Sequence, residues 1–285
     1  MTEVEGRTRL ERAALWRAQV AAVMRYELKR IVSFRGAAWL VLLAAWPWVI
    51  LVGHAVHQAV FGQECSVSDD ARVLGVVVHV YYIRIAVFFG CLGVFTRLFR
   101  GEMAQRTLHH FLLAPIRREV LLVGKFLGAA LGTALIFSVG VTGSFAITFG
   151  HLGGPGREFL FHGPGLSQLG AYLVATVLAC VGYGAVFLVF GLAFRNPALP
   201  ALLLFGWETF SSVFPAWLQR LTVTFYLKPL LPGSLPTAGL GALFSVIVEP
   251  VPAWLAVSGL CAFASLVVFL AALRIRRLEI DYASD

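Results

Sequence analysis

Residues 121–150 read LLVGKFLGAALGTALIFSVGVTGSFAITFG, a run in which Lys125 is the single charged side chain. A hydrocarbon layer about 30 Å thick is crossed by roughly 20 apolar residues in a helix. Backbone polar groups in lipid must be satisfied within the protein, which leaves helices or closed barrels as spanning structures. The run is too long for a barrel strand, and its polarity does not alternate. It therefore predicts a transmembrane helix.

The same pattern recurs along the chain, which has 285 residues, 59% of them hydrophobic and only 13% charged, with a mean hydropathy of +0.82. Six apolar blocks predict transmembrane helices at residues 37–61, 73–98, 121–150, 166–194, 197–214 and 252–273. Residues 238–248 are also apolar but too few to span, and they predict a re-entrant or interfacial segment. The sequence thus predicts an all-α integral membrane protein with six transmembrane helices.

The lysines and arginines indicate the orientation of these helices. Most of them lie in four segments: Arg7, Arg9, Arg12, Arg17, Arg25, Lys29, Arg30 and Arg35; Arg97, Arg100, Arg106, Arg117, Arg118 and Lys125; Arg195; and Arg274, Arg276 and Arg277. Positively charged loops stay in the cytoplasm. All four segments share one side only if there are six spans, so both termini are predicted to be cytoplasmic in a multi-pass protein of the cell (plasma or inner) membrane.

The chain divides into three parts on this interpretation. Residues 1–36 form a cytoplasmic tail and an N-terminal interfacial helix, residues 37–273 form the transmembrane domain, and residues 274–285 form a cytoplasmic tail. The outer segment 215–251 is rich in proline and predicts short re-entrant or interfacial helices before the sixth span. The net charge of +8 suits anionic lipid head groups, and without a binding motif it does not predict nucleic acid as a partner.

Two outer connections have distinctive compositions, and the second predicts a turn-rich loop. Residues 62–72 lean acidic through Asp69 and Asp70, and residues 151–165 are rich in glycine and proline. His151 lies in the second connection, where a histidine is more often solvated than a ligand. The chain contains no CxxC, HExxH or GxSxG sequence, so we expect no metal ligands and no catalytic residues.

The loop between the second and third spans has the most distinctive sequence. Residues 97–125 read RLFRGEMAQRTLHHFLLAPIRREVLLVGK, in which Leu108, Phe111 and Leu112 form an apolar stripe at helical spacing. Pro115 ends this helix, and a second helix begins near Arg117. The pattern predicts a cytoplasmic loop over residues 99–120 that contains a short helix held between two spans. A plain amphipathic connection is the alternative interpretation of the same residues.

This loop resembles the first cytoplasmic loop of the type-2 ATP-binding-cassette (ABC) transporter permeases. The matching residues are Glu102, Thr107, Leu108, Leu112, Leu113, Pro115, Arg118, Gly124 and Lys125. Residues 214–219 also resemble the outer turn after the fifth span of that family, and the topology matches over nearly the whole chain. The sequence departs from the family at Lys228–Pro229, where many members have Asn–Pro, while His109–His110 falls where the family varies.

The resemblance implies the membrane permease subunit of an ATP-driven transporter, an exporter, that forms a homodimer or pairs with a related permease. A separate ABC ATPase subunit would bind ATP and Mg, because this chain has no phosphate-binding loop of its own and is not expected to be an enzyme or to bind a cofactor. The coupling helix that contacts the ATPase would include Glu102, Thr107, Leu108, Leu112 and Pro115. The cargo is not indicated by the sequence.

Arg84 and Glu208 are the ionisable residues deepest in the predicted spans. Each lies 13 positions from an arginine at the inner edge, Arg97 and Arg195 respectively, so both lie roughly 20 Å into the membrane. Charges at this depth are costly and are usually paired or face a cavity. The two residues are therefore candidates for an intramembrane ion pair or for a wall of the transport path.

Two other functions are compatible with the sequence. A secondary transporter would need no ATPase partner, but such proteins often have inverted repeats and helices broken near the midplane, which the sequence does not display. An intramembrane enzyme would need a cluster of catalytic groups at one depth, and Glu208 alone does not provide it.

Overall fold

The computed structural model describes residues 2–61, 66–104, 116–211, 214–232 and 252–276, and every regular element in these ranges is helical. The elements are α1 (Thr2–Val32), α2 (Phe34–Phe61), α3 (Val67–Val76), a π-helical segment (Val77–Ala86), α4 (Val87–Phe95), α5 (Arg97–Ala104), α6 (Arg118–Gly150), α7 (Gly154–Phe161), α8 (Gly165–Ala193), α9 (Ala198–Thr209), α10 (Ala216–Gln219), α11 (Val223–Leu227), a 3-10 turn (Lys228–Leu230) and α12 (Ala253–Arg276). The all-α class predicted from the sequence is confirmed for these residues.

Five stretches of the described chain are long and apolar enough to cross a membrane. They are Ala37–Phe61, Val67–Phe99, Arg118–Gly150, Gly165–Ala193 and Ala253–Ile275. Each coincides with a predicted span, although the second begins several residues earlier than the sequence suggested. The molecule is therefore a multi-pass membrane protein built from α-helices.

The fifth predicted span, residues 197–214, differs from expectation. Helix α9 has 12 residues and ends at Thr209, so it is about 18 Å long and shorter than the hydrocarbon layer. Near this end, the carboxylate of Glu208 accepts hydrogen bonds from the first backbone N–H groups of α11. A sixth crossing stays a prediction, and residues 238–248 lie outside the described ranges.

The two outer connections are more ordered than the sequence predicted. Helix α3 begins at Val67 within the first of them, and α7 occupies much of the second. Asp70, in the first connection, is fully buried, and His151 Nε2 in the second lies 3.2 Å from Asp70 Oδ2, a contact that the sequence did not indicate. The glycine and proline content of the second connection is compatible with a helix. Gly153 turns the chain at φ +62°, and Pro155 lies in the first turn of α7.

Helix α6 is the central element, and a row of glycines lets α1 lie directly against it. A Cβ atom placed on Gly124, Gly128 or Gly132 would lie within 3 Å of atoms of α1. The atoms met along α1 rise in residue number together with the glycines, from Val23 to Ile31, so the two helices run in the same direction. Small residues at this spacing allow close backbone approach between helices.

The first span continues along the same helix and is tied to the second span by hydrogen bonds. Pro47 lies inside α2 and has no N–H for the carbonyl of Leu43. The hydroxyl of Tyr81, in the π-helical segment, donates to that carbonyl at 2.7 Å. The next residue, Tyr82, donates to the Ala44 carbonyl at 2.6 Å. The backbone groups around the proline are thus satisfied from a neighbouring helix.

An aromatic cluster joins α4 to the later helices and surrounds the centre of the bundle. The ring of Phe88 lies 5.3 Å from Tyr183, 4.9 Å from Phe187 and 5.1 Å from Phe205, measured between centroids. The edge-to-face arrangements are the ones that aromatic quadrupoles favour. These contacts fix α8 and α9 beside α4, one turn after Arg84.

The bundle has two distinguishable ends. At one of them, the guanidinium of Arg118 donates to the carbonyl of Ile275 at 3.4 Å, so α6 begins where α12 ends. The close approach of Gly191 to the backbone of Thr96 places the end of α8 beside the end of α4. We call the end of the bundle where α6 begins the Arg118 end. The opposite end, where α6 finishes, is the His151 end.

We predict that Gly128→Ala lowers the thermal unfolding midpoint of the purified protein. The new methyl group would lie 2.6 Å from the backbone oxygen of Met24, and such overpacking costs about 1–3 kcal/mol. Gly53→Ala is the matched control, because it also lies inside a helix but meets nothing within 4 Å, and alanine there gains up to roughly 1 kcal/mol of helix propensity. Equal midpoints for the two variants would contradict the close α1–α6 packing.

Candidate functional site

Glu208 lies at the end of α9, and its buried carboxylate closes the turn into α11. Oε1 accepts the backbone N–H of Val223 at 2.7 Å, and Oε2 accepts that of Thr224 at 3.1 Å as well as the Thr224 hydroxyl. Thr222 accepts the N–H of Phe225 at 3.2 Å. The first N–H groups of a helix have no partner within it, so Glu208 serves as a cap supplied by another helix.

Tyr183 extends this network into α8. Its hydroxyl lies 3.2 Å from the hydroxyl of Thr224, which already donates to the carboxylate of Glu208. A hydroxyl has one hydrogen, so Tyr183 must be the donor to Thr224. All three side chains are buried, and the result is a continuous chain of hydrogen bonds from α8 through α11 to α9.

Arg84 lies in the π-helical segment and faces the same region. It is attracted electrostatically by Glu208. The structure therefore brings the two predicted intramembrane residues into one polar cluster, although the carboxylate of Glu208 is mainly occupied by α11. Their role as an ion pair or as part of a transport path stays a prediction. Single π-helical turns inside α-helices occur frequently at functional sites.

Lys228 adds a second cation to this cluster. The pKa of Lys228 is lowered to about 8, mainly by burial and next by the positive charge of Arg84, while the negative charge of Glu208 partly opposes both effects. Within the described residues, Arg84, Lys228 and Glu208 thus form one cluster of charged groups.

The predicted coupling residues fall largely outside the described ranges. Glu102 belongs to helix α5, but its side chain is not described. Four further residues lie between residues 104 and 116: Thr107, Leu108, Leu112 and Pro115. Their contact with an ATPase stays a prediction. The structure does describe the residues on either side of this loop, which we call its base.

A buried ion pair lies at the base of the loop. Lys125 Nζ is 3.5 Å from Glu27 Oε2 of α1 and donates to the carbonyl of Leu98 at 3.4 Å. The ammonium group also lies 5.6 Å from the ring centroid of Phe99, within the range of a cation–π contact. Arg30 is 3.3 Å from the second oxygen of Glu27. The ammonium group of Lys125 thus connects three parts of the chain: α1, the start of α5 before the loop, and α6 after it.

Sequence reasoning missed this junction and the partners of Glu208. Glu27 was not among the candidate site residues, yet its side chain is fully buried against Lys125. The four-residue spacing of Gly124, Gly128 and Gly132 was the signal that a helix packs closely on α6. No signal in the sequence identified Thr224 or Tyr183, because their meeting depends on the turn after α9.

The chain matches no protein-family model, and no curated protein has a significantly similar sequence.

We predict that Glu208→Gln lowers the thermal unfolding midpoint in detergent. The amide keeps one acceptor oxygen but turns an NH2 group towards N–H donors, and a buried donor left unsatisfied costs about 1–3 kcal/mol. Glu158→Gln is the control, because Glu158 is exposed on α7. If both variants unfold at the wild-type temperature, Glu208 does not cap α11.

We also predict that trace acylation at pH 8 labels Lys228 faster than Lys29, which is exposed on α1. With a pKa of about 8, about half of Lys228 is neutral at pH 8, and only the neutral amine is nucleophilic. Glu208→Gln removes an attraction for the charged form and should speed the reaction further. Peptide mass spectrometry measures both rates, and slower labelling of Lys228 than of Lys29 would refute its burial beside Arg84.

Proposed function

We propose that this chain is the membrane permease subunit of an ATP-driven ABC transporter, acting as an exporter with a separate ATPase subunit. It would act as a homodimer or with a related permease, and both of its termini would be cytoplasmic at the Arg118 end. The proposal is supported by the sequence of the 97–125 loop, by the all-α membrane fold and by the way the loop is anchored.

The buried Glu27–Lys125 pair is the observation that carries the proposal. A permease driven by a soluble motor needs a loop whose movement is transmitted to the spans. Lys125 bonds to α1 through Glu27 and to the start of α5 through Leu98. Separating a buried ion pair leaves an uncompensated charge and is strongly unfavourable. A displacement of the loop would therefore move α1 and α6 together.

A sixth crossing of the membrane is part of this proposal. Helix α8 ends near Thr96, at the Arg118 end, and α12 also finishes at that end beside Arg118. Because α12 finishes there, its first residue, Ala253, lies towards the His151 end. The chain between Ala193 and Ala253 must therefore pass from one end to the other. This path supports six crossings, of which the short α9 would be the fifth.

The polar cluster around Glu208 is the best candidate for the wall of the transport path. It lies where α9 ends inside the bundle and contains the charged groups Arg84, Lys228 and Glu208. An amphipathic or lipid-linked molecule fits this combination of charged groups and apolar surroundings.

A secondary transporter is the second candidate, and one observation favours it. The helix break between α9 and α11 places backbone N–H groups and a carboxylate inside the bundle, as in the broken helices of such transporters. A transporter of this kind would function without an ATPase, so the two candidates are distinguished by the partner.

We predict that affinity purification of the chain from its native cell in mild detergent yields an ATPase with a phosphate-binding loop in about equal amount. Mass spectrometry of the purified complex measures this. Recovery of the chain alone, in conditions that keep lipid bound, would contradict the ABC assignment and favour a secondary transporter.

The same complex allows a test of the coupling loop. Glu102→Lys should leave membrane insertion intact but remove the stimulation of the ATPase and the transport that depends on it, because the charge is reversed on the surface proposed to contact the motor. Glu158→Lys makes the same change at an exposed position of α7 and should have no effect. Wild-type coupling in the Glu102 variant would overturn the assignment of the loop.

A further inference from the structure

An apolar groove runs along the outside of the bundle, between α6 and the place where α2 follows α1. It has a volume of about 220 Å³, and the residues that line it include Val32, Val41, Trp48, Leu135 and Val139. All of these except Trp48 are exposed, so the groove is open on its outer side. In a protein that crosses a membrane, an exposed apolar surface at this position faces the hydrocarbon of the lipid.

The side chains of the groove leave no hydrogen bond for a polar ligand. Trp48 has the only polar side-chain atom among the lining residues, and its indole N–H already donates to the carbonyl of Gly140 at 2.8 Å. A polar molecule that entered would lose its hydrogen bonds to water without replacing them. The chemistry that fits the groove is therefore a hydrocarbon chain.

The groove follows the direction of a lipid chain. Helix α1 runs alongside α6 in the same direction, with Glu27 against Gly128, and Ala44 of α2 lies against Gly140 further on. The 12 positions from Gly128 to Gly140 correspond to ~18 Å of helix. One leaflet contributes about 15 Å of hydrocarbon to the membrane. An acyl chain of the leaflet at the Arg118 end thus has about the length of this path.

Two cations lie at the start of the groove. Arg25 and Lys29 precede Val32 by seven and three positions, a spacing that places all three on one face of α1. Both cations are exposed, and neither forms an ion pair with a carboxylate within the part of the chain that the structure describes. Arg30 differs, because it pairs with Glu27 at 3.3 Å. The groove thus combines an apolar channel with two positive charges at one end.

These charges favour a phospholipid over a second copy of the chain as the occupant. Helices α2, α6, α8, α9 and α12 contain only two carboxylates, Glu119 and Glu208, and Glu208 is buried. The apolar helices of a second copy would therefore bring little negative charge to Arg25 and Lys29. An anionic lipid places its phosphate where the hydrocarbon begins, and basic groups between membrane helices bind such head groups.

We propose that this groove binds one acyl chain of an anionic phospholipid from the leaflet at the Arg118 end, with the head group held by Arg25 and Lys29. The chain lies against α1, α2 and α6, so the bound lipid stabilises the packing of the first two helices on the third. None of these residues belongs to the Glu208 cluster or to the 97–125 loop. The lipid is a resident ligand and not a cargo.

The first test is native mass spectrometry of the full chain, freed of lipid in detergent and mixed with phosphatidylglycerol or with phosphatidylcholine of the same acyl chains. The wild-type protein should bind phosphatidylglycerol more tightly. Lys29→Gln should weaken that binding roughly fivefold and leave phosphatidylcholine unaffected, because one basic residue near a membrane surface contributes about this factor. Arg274→Gln is the matched control and should change neither affinity, since Arg274 is exposed on α12, which does not line the groove.

Filling the groove tests its apolar part. Ala45 lines the groove beside Trp48, so Ala45→Phe should exclude the acyl chain and weaken the binding of both lipids. Ala38→Phe makes the same exchange at an exposed position of α2 outside the groove and should bind both lipids as the wild type does. Equal affinity of the wild-type protein for the two lipids, or unchanged binding by Ala45→Phe, would overturn the proposal.

A measurement on the wild-type protein alone keeps the proposal testable if the variants do not fold. Phosphatidylglycerol with a photoreactive diazirine in its acyl chain should label residues 32–48 and 135–140 before it labels α12, and unlabelled phosphatidylglycerol should suppress this. Even labelling of all exposed helices would indicate bulk lipid only and would overturn the proposal. Cross-links between two copies at these residues, without lipid labelling, would also overturn it. Failure of the ATPase to co-purify would change none of these outcomes.

Discussion

The close contact of α1 and α2 with α6 is the constraint on which the rest of the structure depends. Apolar side chains gain little by leaving lipid for a helix interface, so helices in a membrane associate through packing and hydrogen bonds. Gly124, Gly128 and Gly132 provide the packing, since α1 lies where their side chains would be. Further along, Gly140 admits the backbone of α2 in the same way. The α6 helix is therefore the template for the first two helices.

This packing also explains why charged groups can be buried at the Arg118 end. Glu27 faces α6 because the glycines bring α1 within reach, and Lys125 lies one residue after the first of them. The pair would be too costly in lipid if either partner were missing. Its contact with Leu98 then ties the loop to the same point. Close packing, charge burial and the anchoring of the loop are thus one arrangement.

The positions of the spans could be predicted from the sequence, because a lipid layer of fixed thickness requires long apolar runs and each such run is visible without its neighbours. The electrostatic proximity of Arg84 and Glu208 was also predictable by counting residues along each helix. The identity of their partners was not. Glu208 caps α11 because α9 stops after 12 residues, and nothing in its apolar sequence marks that stop.

The sequence by itself determined that this protein is an α-helical membrane protein, since apolar length and the distribution of arginines are properties of single segments. The tertiary structure alone decided which polar side chains meet. Glu27 and Lys125 are 98 positions apart, and Gln58 and His151 are 93 apart. Hydrogen bonds and ion pairs act only over a few ångströms, so contacts between such distant residues depend on how the helices pack and cannot be inferred from any one of them.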